Sequence, residues 1–259
     1  MSTPGAQDAP TPVPHEIDAA DGPLPGLLWL PEGAGAQVPG LVVFQEIFGV
    51  GPYLQDWCAR LASLGYAVLA PHVYARQVDD GAQVPVVTRP AAEGGLEEGL
   101  ALVQRVDWDL AVRDGLAARD ALAAVPGVDP ACVGLFGFCF GGGLAFHVAA
   151  AAAQAGKPVA ALVSFYGSAL PGLLGLAEHV DCPSLHVFGT ADAYIPPETV
   201  EEIRAAVTAD GAREQVRFEL HEGAGHAFDN PDPMFHHAGA SAAARAQAEE
   251  FLTEVLPAR

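Results

Sequence analysis

Short apolar runs alternate with longer amphipathic segments along most of this chain. Several runs, such as Leu41-Val42-Val43-Phe44, contain no polar residue, and most are bounded by Gly, Pro or Asp. Uninterrupted hydrophobicity is typical of strands that are buried on both faces of a sheet. The pattern predicts strands at Gly26–Leu30, Gly40–Glu46, Tyr66–Pro71, Ala131–Phe136, Val159–Phe165, Ser184–Gly189 and Gln215–His221.

The segments between these strands carry apolar residues at helical spacing. They predict helices at Tyr53–Leu64, Leu96–Val125, Gly141–Ala155, Pro197–Ala209 and Ser241–Leu256. Alternating strands and helices are typical of an α/β fold, with a mostly parallel central sheet and helices on both faces. In such sheets the functional groups gather at the carboxyl ends of the strands.

The length and composition predict one domain. A chain of 259 residues with 51% hydrophobic content can bury one sizeable core. Met1 to Pro14 is rich in proline and small residues, so we expect residues 1–14 to form a flexible tail and residues 15–259 to form the α/β domain. The tail lacks the basic and apolar regions of a secretory signal, and no apolar run is long enough to span a membrane.

Charge and cysteine content narrow the function classes. The formal net charge is -20, from 32 acidic and 12 basic residues, which argues against nucleic acids and anionic membranes as partners. The four cysteines form no Cys-x-x-Cys pair and no Cys/His spacing suited to zinc, and no phosphate-binding or dinucleotide-binding motif is present. We therefore expect a cytoplasmic protein that needs no metal or cofactor.

One cysteine lies in a motif that carries chemistry. Cys139 stands in Gly137-Phe138-Cys139-Phe140-Gly141, between a predicted strand and an alanine-rich predicted helix. This pattern is typical of a nucleophile elbow, a strained turn in which the flanking glycines provide steric clearance. The helix N-terminus favours a thiolate and offers N–H groups to an oxyanion. Cys139 is the predicted nucleophile, whereas Cys58, Cys132 and Cys182 are predicted to be small buried hydrophobic residues.

A thiol nucleophile needs a base, and the base needs an orienting acid. Asp192 follows the apolar run that ends at Gly189, and His226 lies in a glycine-rich loop after the last predicted strand. The order nucleophile, acid, base is that of the α/β-hydrolases. The alternatives are a turn or cap role for Asp192, a solvated His226, and Glu222 or Asp181 as the acid. Five other histidines are predicted to be structural, namely His72, His147, His186, His236 and His237.

A buried strand also ends in a carboxylate. Glu46 lies among Phe44, Ile47 and Phe48, where an unpaired charge would cost free energy. The alternative is a glutamate turned to solvent at the strand end. In α/β-hydrolases the loop after the third strand supplies one oxyanion-hole N–H, so the backbone N–H groups of Ile47 and Phe140 are the predicted donors.

Together these segments resemble the dienelactone hydrolase (carboxymethylenebutenolidase) family. The similarity runs from about Leu27 to Leu256 and keeps the family's order. A serine hydrolase would share the architecture but neither the cysteine nor the Gln-Glu-Ile-Phe-Gly segment. The matching blocks are Gln45–Val50, Pro71–Gln77, Gly137–Gly142, Gly189–Asp192 with Ile195-Pro196, and Gly223–Phe228.

The resemblance implies an α/β-hydrolase fold and a hydrolase of small esters or lactones, acting as a monomer or small homo-oligomer. It implies a thioester intermediate, and a glutamate that helps to take the thiol proton once substrate displaces it. The implied site residues are Cys139, Asp192 and His226 as a catalytic triad, Glu46 as the auxiliary carboxylate, and Arg76 and Phe48 as substrate contacts.

The sequence departs from the family pattern where that family holds a substrate carboxylate. The arginine and hydroxyl residue expected just past the catalytic histidine are absent, since residues 227–230 are Ala, Phe, Asp and Asn, and residues 91–102 contain no arginine. An anionic ligand would meet Asp229 instead, unless Arg89 or Arg105 reaches the site. We expect poor activity on dienelactone and a preference for neutral small esters or thioesters.

Other functions are compatible with parts of this pattern. The fold hosts many reactions, so a thioester or a haloacid is an alternative substrate, although a dehalogenase would carry an aspartate at the elbow. A non-enzymatic thiol redox sensor would use the same cysteine but needs a resolving partner, and none is obvious. A degenerate, partner-binding member of the fold is the third alternative, and an intact triad argues against it.

Overall fold

A computed structural model describes residues 10–33, 37–79 and 82–258 of the chain. Its centre is an eight-stranded sheet with the order β1-β2-β4-β3-β5-β6-β7-β8. The first two strands run antiparallel to their neighbours, and the others pair in parallel. The strands are β1 Val13–Ile17, β2 Leu24–Trp29, β3 Val38–Phe44, β4 Ala67–Pro71, β5 Val128–Phe138, β6 Leu162–Phe165, β7 Ser184–Gly189 and β8 Val216–His221.

Six α-helices connect and cover the strands. Every residue of β3, β4, β6 and β7 is buried, as expected for parallel strands that are covered on both faces. The predicted mostly parallel sheet with helices is confirmed. The helices are α1 Pro52–Ser63, α2 Gly95–Val103, α3 Trp108–Ala123, α4 Phe140–Gln154, α5 Pro197–Thr208 and α6 Ala238–Val255, with 3-10 segments at Val73–Gln77, Ala91–Glu93 and Leu170–His179.

The structure contains an edge strand that the hydrophobic pattern did not predict. β1 begins at Val13, so the predicted boundary of the tail after Pro14 falls inside it. Only Ile17 of this strand is buried, which explains why no apolar run marks it. Residues 1–9 of the predicted tail lie outside the described residues.

The single helix predicted at Leu96–Val125 is wrong, because the structure has two helices there. Asp107 is the N-cap of α3, and its side chain accepts a hydrogen bond from the backbone N–H of Leu110 at 3.0 Å. Because the apolar periodicity continues across the break, the hydrophobic pattern does not reveal this cap. In the described parts of the chain, no helix combines the length and apolar character needed to cross a membrane.

The junction of β5 and α4 is the tightest turn of the fold. A Cβ on Gly137 would lie 2.0 Å from the carbonyl oxygen of Gly141, and one on Gly141 would lie 2.4 Å from the carbonyl oxygen of Gln45. Backbone atoms cannot yield at such distances. Glycine is therefore required at both positions for β5 to end and α4 to begin within one residue.

Replacing Gly137 by alanine is expected to destabilise the protein by about 3 kcal/mol, because the added methyl overlaps backbone atoms. Gly175→Ala is the matched control, since a Cβ there meets nothing within 4 Å. Urea unfolding of both variants measures the difference. Equal unfolding midpoints for the two variants would contradict the packing argument.

Candidate active site

Three side chains from the carboxyl ends of different strands meet at one edge of the sheet. Cys139 follows β5, Asp192 follows β7, and His226 follows β8. The Nε2 atom of His226 lies 3.1 Å from the Sγ atom of Cys139, and its Nδ1 atom lies 2.7 Å from Oδ2 of Asp192. The structure thus brings together the three residues that the sequence predicted as a triad.

Cys139 sits on strained backbone at the start of a helix. Its φ is 52° and its ψ is -117°, a conformation that L residues rarely adopt, and it is the N-cap of α4. Its N–H donates to the carbonyl oxygen of Phe165 at 2.9 Å, which fixes the turn to the end of β6. The thiol is 7% exposed, so only a small area faces the cavity described below.

Asp192 is held as a hydrogen-bond acceptor on both oxygens. Its Oδ1 accepts from the backbone N–H groups of Tyr194 at 2.8 Å and Ile195 at 3.0 Å, which leaves Oδ2 for His226. The two rival acids do not contact the histidine. Glu222 is exposed, and Asp181 lies 3.9 Å from Arg213.

The environment of His226 favours the imidazolium. Burial alone would lower its pKa, but the Cys139 sulfur and the Asp192 carboxylate outweigh burial and raise the pKa to about 10. A protonated histidine between an acid and a sulfur matches an ion pair with a thiolate. The ring also packs edge-on against Tyr166 and Tyr194, with centroids 5.4 and 5.2 Å away.

Ile47 and Phe140, the two predicted oxyanion donors, line the same cavity as Cys139. Neither Ile47 nor Phe140 donates its backbone N–H to an acceptor among the described residues. The loop that carries Ile47 is fixed, because the hydroxyl of Tyr74 donates to the Ile47 carbonyl at 2.8 Å. The N–H of Val87 donates to the Phe48 carbonyl at 2.9 Å. Two residues of the cavity wall at Cys139 thus carry backbone N–H groups without a protein acceptor among the described residues.

A cavity of about 160 Å³ opens at the sulfur, and we call it the thiol cavity. Its wall is mostly apolar, and Phe48, the predicted substrate contact, is part of it. Tyr194 stands at its mouth with 60% of its side chain exposed. The lining residues are Glu46, Ile47, Phe48, Leu96, Leu100, Val103, Cys139, Phe140, Ser168, Tyr194, His226, Ala227 and Phe235.

Glu46 is turned inward and bound by an amide. It is 2% exposed, and Nδ2 of Asn230 donates to Oε1 at 2.8 Å and to Oε2 at 3.3 Å. The Oδ1 atom of Asn230 accepts from the N–H of Asp232, so the amide group must present its NH₂ to the glutamate. Burial raises the pKa of Glu46 to about 7, and the Asn230 hydrogen bond opposes this only in part.

Sequence analysis missed two polar residues of this site. Asn230 was noted only as a departure from the family pattern, and its pairing with Glu46 joins residues 184 positions apart. Ser168 also lines the thiol cavity, with its Oγ 3.7 Å from the Cys139 sulfur. No local motif marks either role, because both arise from loops that meet only in the folded chain.

The expectation that an anionic ligand would meet Asp229 is wrong. Asp229 is fully buried and accepts from the Tyr53 hydroxyl at 2.6 Å, Trp57 Nε1 at 2.7 Å, the Ser241 hydroxyl at 2.6 Å and Arg245 Nε at 2.6 Å. Such a saturated carboxylate cannot face a substrate. It anchors the loop after His226 to α1 and α6.

Arg76 also takes a different place from the one expected, because it does not line the thiol cavity. Its guanidinium forms two hydrogen bonds with Asp114 of α3, at 2.9 and 2.7 Å, and a third with the carbonyl of Gly22 at 2.9 Å. It therefore ties the chain before β2 to α3. Arg105 donates to the Gln77 carbonyl and does not reach the site either.

Arg89 lies in a neighbouring cleft. This Arg89 cleft, about 350 Å³ in volume, shares Glu46 and Phe48 with the thiol cavity and is also lined by Tyr53, Asn230 and Asp232. The guanidinium is exposed at the rim.

Three of the histidines that were predicted to be structural are hydrogen-bonded or buried in other parts of the fold. His147 accepts from the Trp108 indole at 2.8 Å, His237 caps α6 by accepting from the Ala240 N–H, and His186 is fully buried in β7. Within the described ranges, no group of three or more His, Cys, Asp or Glu side chains is arranged to hold a metal ion.

Comparison with known proteins identifies the family. The model of the dienelactone hydrolase family matches residues 24–256. The chain belongs to the dienelactone hydrolase family. The carboxymethylenebutenolidase of Pseudomonas putida is 32% identical over 219 residues, which cover 85% of this chain and 87% of that protein. The resemblance predicted from the sequence is confirmed.

Solved structures are similar over almost the whole chain. A dienelactone hydrolase-like promiscuous phosphotriesterase from metagenomic libraries has a TM-score of 0.73 and 27% identity, covering 94% of this chain and 98% of that one. Dienelactone hydrolase from Anabaena variabilis has a TM-score of 0.64 at 23% identity, covering 96% and 99%, which shows the shared fold. This member of the dienelactone hydrolase family is thus a hydrolase with the α/β-hydrolase fold.

The buried Glu46 predicts how stability depends on pH. Its pKa rises from 4.5 to about 7 on folding. As the pH increases, the unfolded chain therefore loses this proton at a lower pH than the folded protein does. Between these two pH values the free energy of unfolding should therefore fall by about 3 kcal/mol more in the wild type than in Glu46→Gln, while the fall that the raised pKa of His226 causes is common to both proteins. Urea unfolding at about pH 5 and about pH 8 measures the difference.

Glu222→Gln removes an exposed carboxylate and is the control for this measurement. It should follow the wild-type pH dependence. If Glu46→Gln also follows the wild type, then Glu46 is not a desolvated acid in the folded protein.

Proposed function

We propose that this protein is a cysteine-dependent hydrolase that cleaves small neutral esters through a thioester acyl-enzyme. The observation that carries the proposal is the continuous contact from Asp192 through His226 to the Cys139 sulfur, at 2.7 and 3.1 Å. The order of these three groups is that of a nucleophile, a base and an orienting acid. The neighbouring free N–H groups supply the fourth element that acyl transfer needs.

Acylation would begin with the thiolate and the imidazolium. The sulfur of Cys139 attacks the ester carbonyl carbon, and the carbonyl electron pair moves to oxygen. The oxyanion is bound by the N–H groups of Ile47 and Phe140. As the carbon–oxygen bond of the ester breaks, His226 gives its proton to the leaving alcohol, and a thioester remains on Cys139.

Deacylation would reverse the roles. Neutral His226 takes a proton from a water molecule whose oxygen attacks the thioester carbon. The second tetrahedral intermediate collapses, the carbon–sulfur bond breaks, and its electron pair returns to Cys139 as a thiolate. The carboxylic acid product leaves, and Asp192 stabilises the imidazolium at each stage.

Glu46 supports the proposal as a buried auxiliary carboxylate beside the sulfur. The Glu46 carboxylate accepts a hydrogen bond from the Asn230 amide, while the Cys139 sulfur is hydrogen-bonded to His226. A second anion near Cys139 disfavours the thiolate, so protonation or displacement of Glu46 by substrate would release that restraint. This is the physical basis of the auxiliary role that the family resemblance implies.

The proposed substrate is neutral because of what lines the thiol cavity. Aliphatic and aromatic side chains form most of its wall, and no lysine or arginine is among the lining residues. A substrate carboxylate would lose its hydration there, and the one cation of the lining, the imidazolium of His226, is already engaged by Asp192 and the Cys139 sulfur. A small acyl group would instead gain apolar contacts with α2 and Phe140.

The redox-sensor alternative has less support. None of the other three cysteines lines the thiol cavity, so a disulfide with Cys139 would require rearrangement of the fold.

A phosphotriester is a second electrophile to assay, because one structural neighbour is named a promiscuous phosphotriesterase. A thiolate opposite two N–H donors could attack phosphorus as well as carbon.

Purified wild type and Cys139→Ala should differ by at least about a hundredfold in hydrolysis of p-nitrophenyl acetate, because the variant lacks the nucleophile. Iodoacetamide should abolish wild-type activity in proportion to modification of Cys139. Dienelactone should be turned over with kcat/KM no higher than that of an uncharged ester analogue. Paraoxon is assayed in parallel.

Cys132→Ala removes a thiol from the same strand, outside the thiol cavity, and is the matched control. It should retain activity. Full activity of Cys139→Ala would contradict the cysteine mechanism. Strong selectivity for dienelactone would contradict only the assignment of a neutral substrate.

A further inference from the structure

The sulfur of Cys139 has a second polar neighbour, Ser168, in the loop that follows β6. Ser168 places its Oγ 3.7 Å from Sγ, within hydrogen-bond range for sulfur, and no other side-chain partner of this hydroxyl occurs among the described residues. Ser168 is exposed within the thiol cavity. In this contact the thiol S–H donates to the Ser168 oxygen, and the same hydroxyl can donate to the sulfur once the sulfur is a thiolate.

The position of Ser168 is set by backbone contacts with the elbow. Its N–H donates to the Cys139 carbonyl at 3.1 Å, while the Cys139 N–H donates to the Phe165 carbonyl at 2.9 Å. Between these two links the chain turns at Tyr166, whose φ is 39° and whose N–H donates to the Val187 carbonyl at 2.7 Å. The loop cannot move without changing the elbow, so the hydroxyl is preorganised against the sulfur.

The effect of the Ser168 hydroxyl depends on the charge of the Cys139 sulfur. A thiolate in a mostly apolar cavity has lost most of its hydration, and His226 supplies only one hydrogen bond to it. A second donor stabilises the anionic sulfur and has little to offer a thiol or a thioester, which are weak acceptors. Its contribution is therefore specific to the states in which sulfur carries charge.

We propose that Ser168 is a positioning residue that donates a hydrogen bond to the Cys139 thiolate, both in the free enzyme and as the thiolate leaves the thioester. This inference rests on the proposed function. In deacylation the carbon–sulfur bond breaks and its electron pair stays on sulfur, where the Ser168 hydroxyl meets it. No bond to Ser168 forms or breaks.

The first test needs no substrate. Alkylation of Cys139 by iodoacetamide, followed on its own peptide by mass spectrometry, is measured across pH for wild type, Ser168→Ala and Ser168→Thr. Ser168→Ala should alkylate about threefold to tenfold more slowly below the midpoint, and the midpoint should move to higher pH. Ser168→Thr keeps a hydroxyl and should restore the wild-type profile, which a purely structural role would not require.

The second test follows turnover of p-nitrophenyl acetate. Slower departure of sulfur should lower kcat of Ser168→Ala by about threefold to tenfold and increase the initial burst, because acyl-enzyme accumulates. Ser63→Ala, which removes an exposed hydroxyl on α1, is the control and should change neither readout.

The outcomes separate this inference from the proposed function. An unchanged alkylation profile and burst in Ser168→Ala, together with loss of hydrolysis in Cys139→Ala, would overturn the role of Ser168 and leave the hydrolase intact. Full hydrolysis by Cys139→Ala would overturn the proposed function and, with it, the deacylation role. A shifted alkylation profile with the expected burst supports both.

Discussion

The strained turn at Cys139 is the constraint on which the rest of the site depends. Because β5 becomes α4 within one residue, the backbone of neighbouring strands must approach the turn closely, and only glycines at 137 and 141 leave room. The carbonyl of Gln45 comes from one side and that of Phe165 from the other. Those two loops then deliver the Ile47 N–H and the Ser168 hydroxyl, so the same packing that strains the backbone also assembles the groups around the sulfur.

Three buried carboxylates near the sulfur differ in how well their charge is compensated. Asp229 is bound by a guanidinium and three neutral donors, and Asp192 by a histidine and two backbone N–H groups. Glu46 receives hydrogen bonds only from the amide of Asn230 among the described residues. The first two carboxylates therefore hold loops in place through several hydrogen bonds each. Glu46 is the one whose ionisation or position can change at low cost, which is what an auxiliary group beside a nucleophile requires.

How far the sequence predicts this protein depends on the range of each interaction. Strands β2 to β8, the elbow at Cys139 and the loop positions of Asp192 and His226 were predicted because apolar runs and glycine-flanked turns are local signals. The break before α3 was missed because helical periodicity continues across it. The roles of Arg76 and Asp229 were wrong for a different reason. Each charge found a partner remote in sequence, and burial of that pair, rather than any motif, decided where the side chain points.

The proposed selection of neutral substrates rests on short-range desolvation more than on the net charge of the chain. A net charge of -20 repels anions, but in physiological salt that field decays over about 8 Å and acts mainly on the encounter rate. Inside the thiol cavity a carboxylate would exchange water for mostly apolar walls, with the Glu46 carboxylate among the lining groups and with His226 already engaged by Asp192 and the Cys139 sulfur. The cation of the Arg89 cleft stands at an exposed rim on the other side of Phe48 and Glu46. Because an exposed ion pair contributes at most about 1 kcal/mol, Arg89 offsets little of that desolvation, which supports the proposal of an uncharged acyl group.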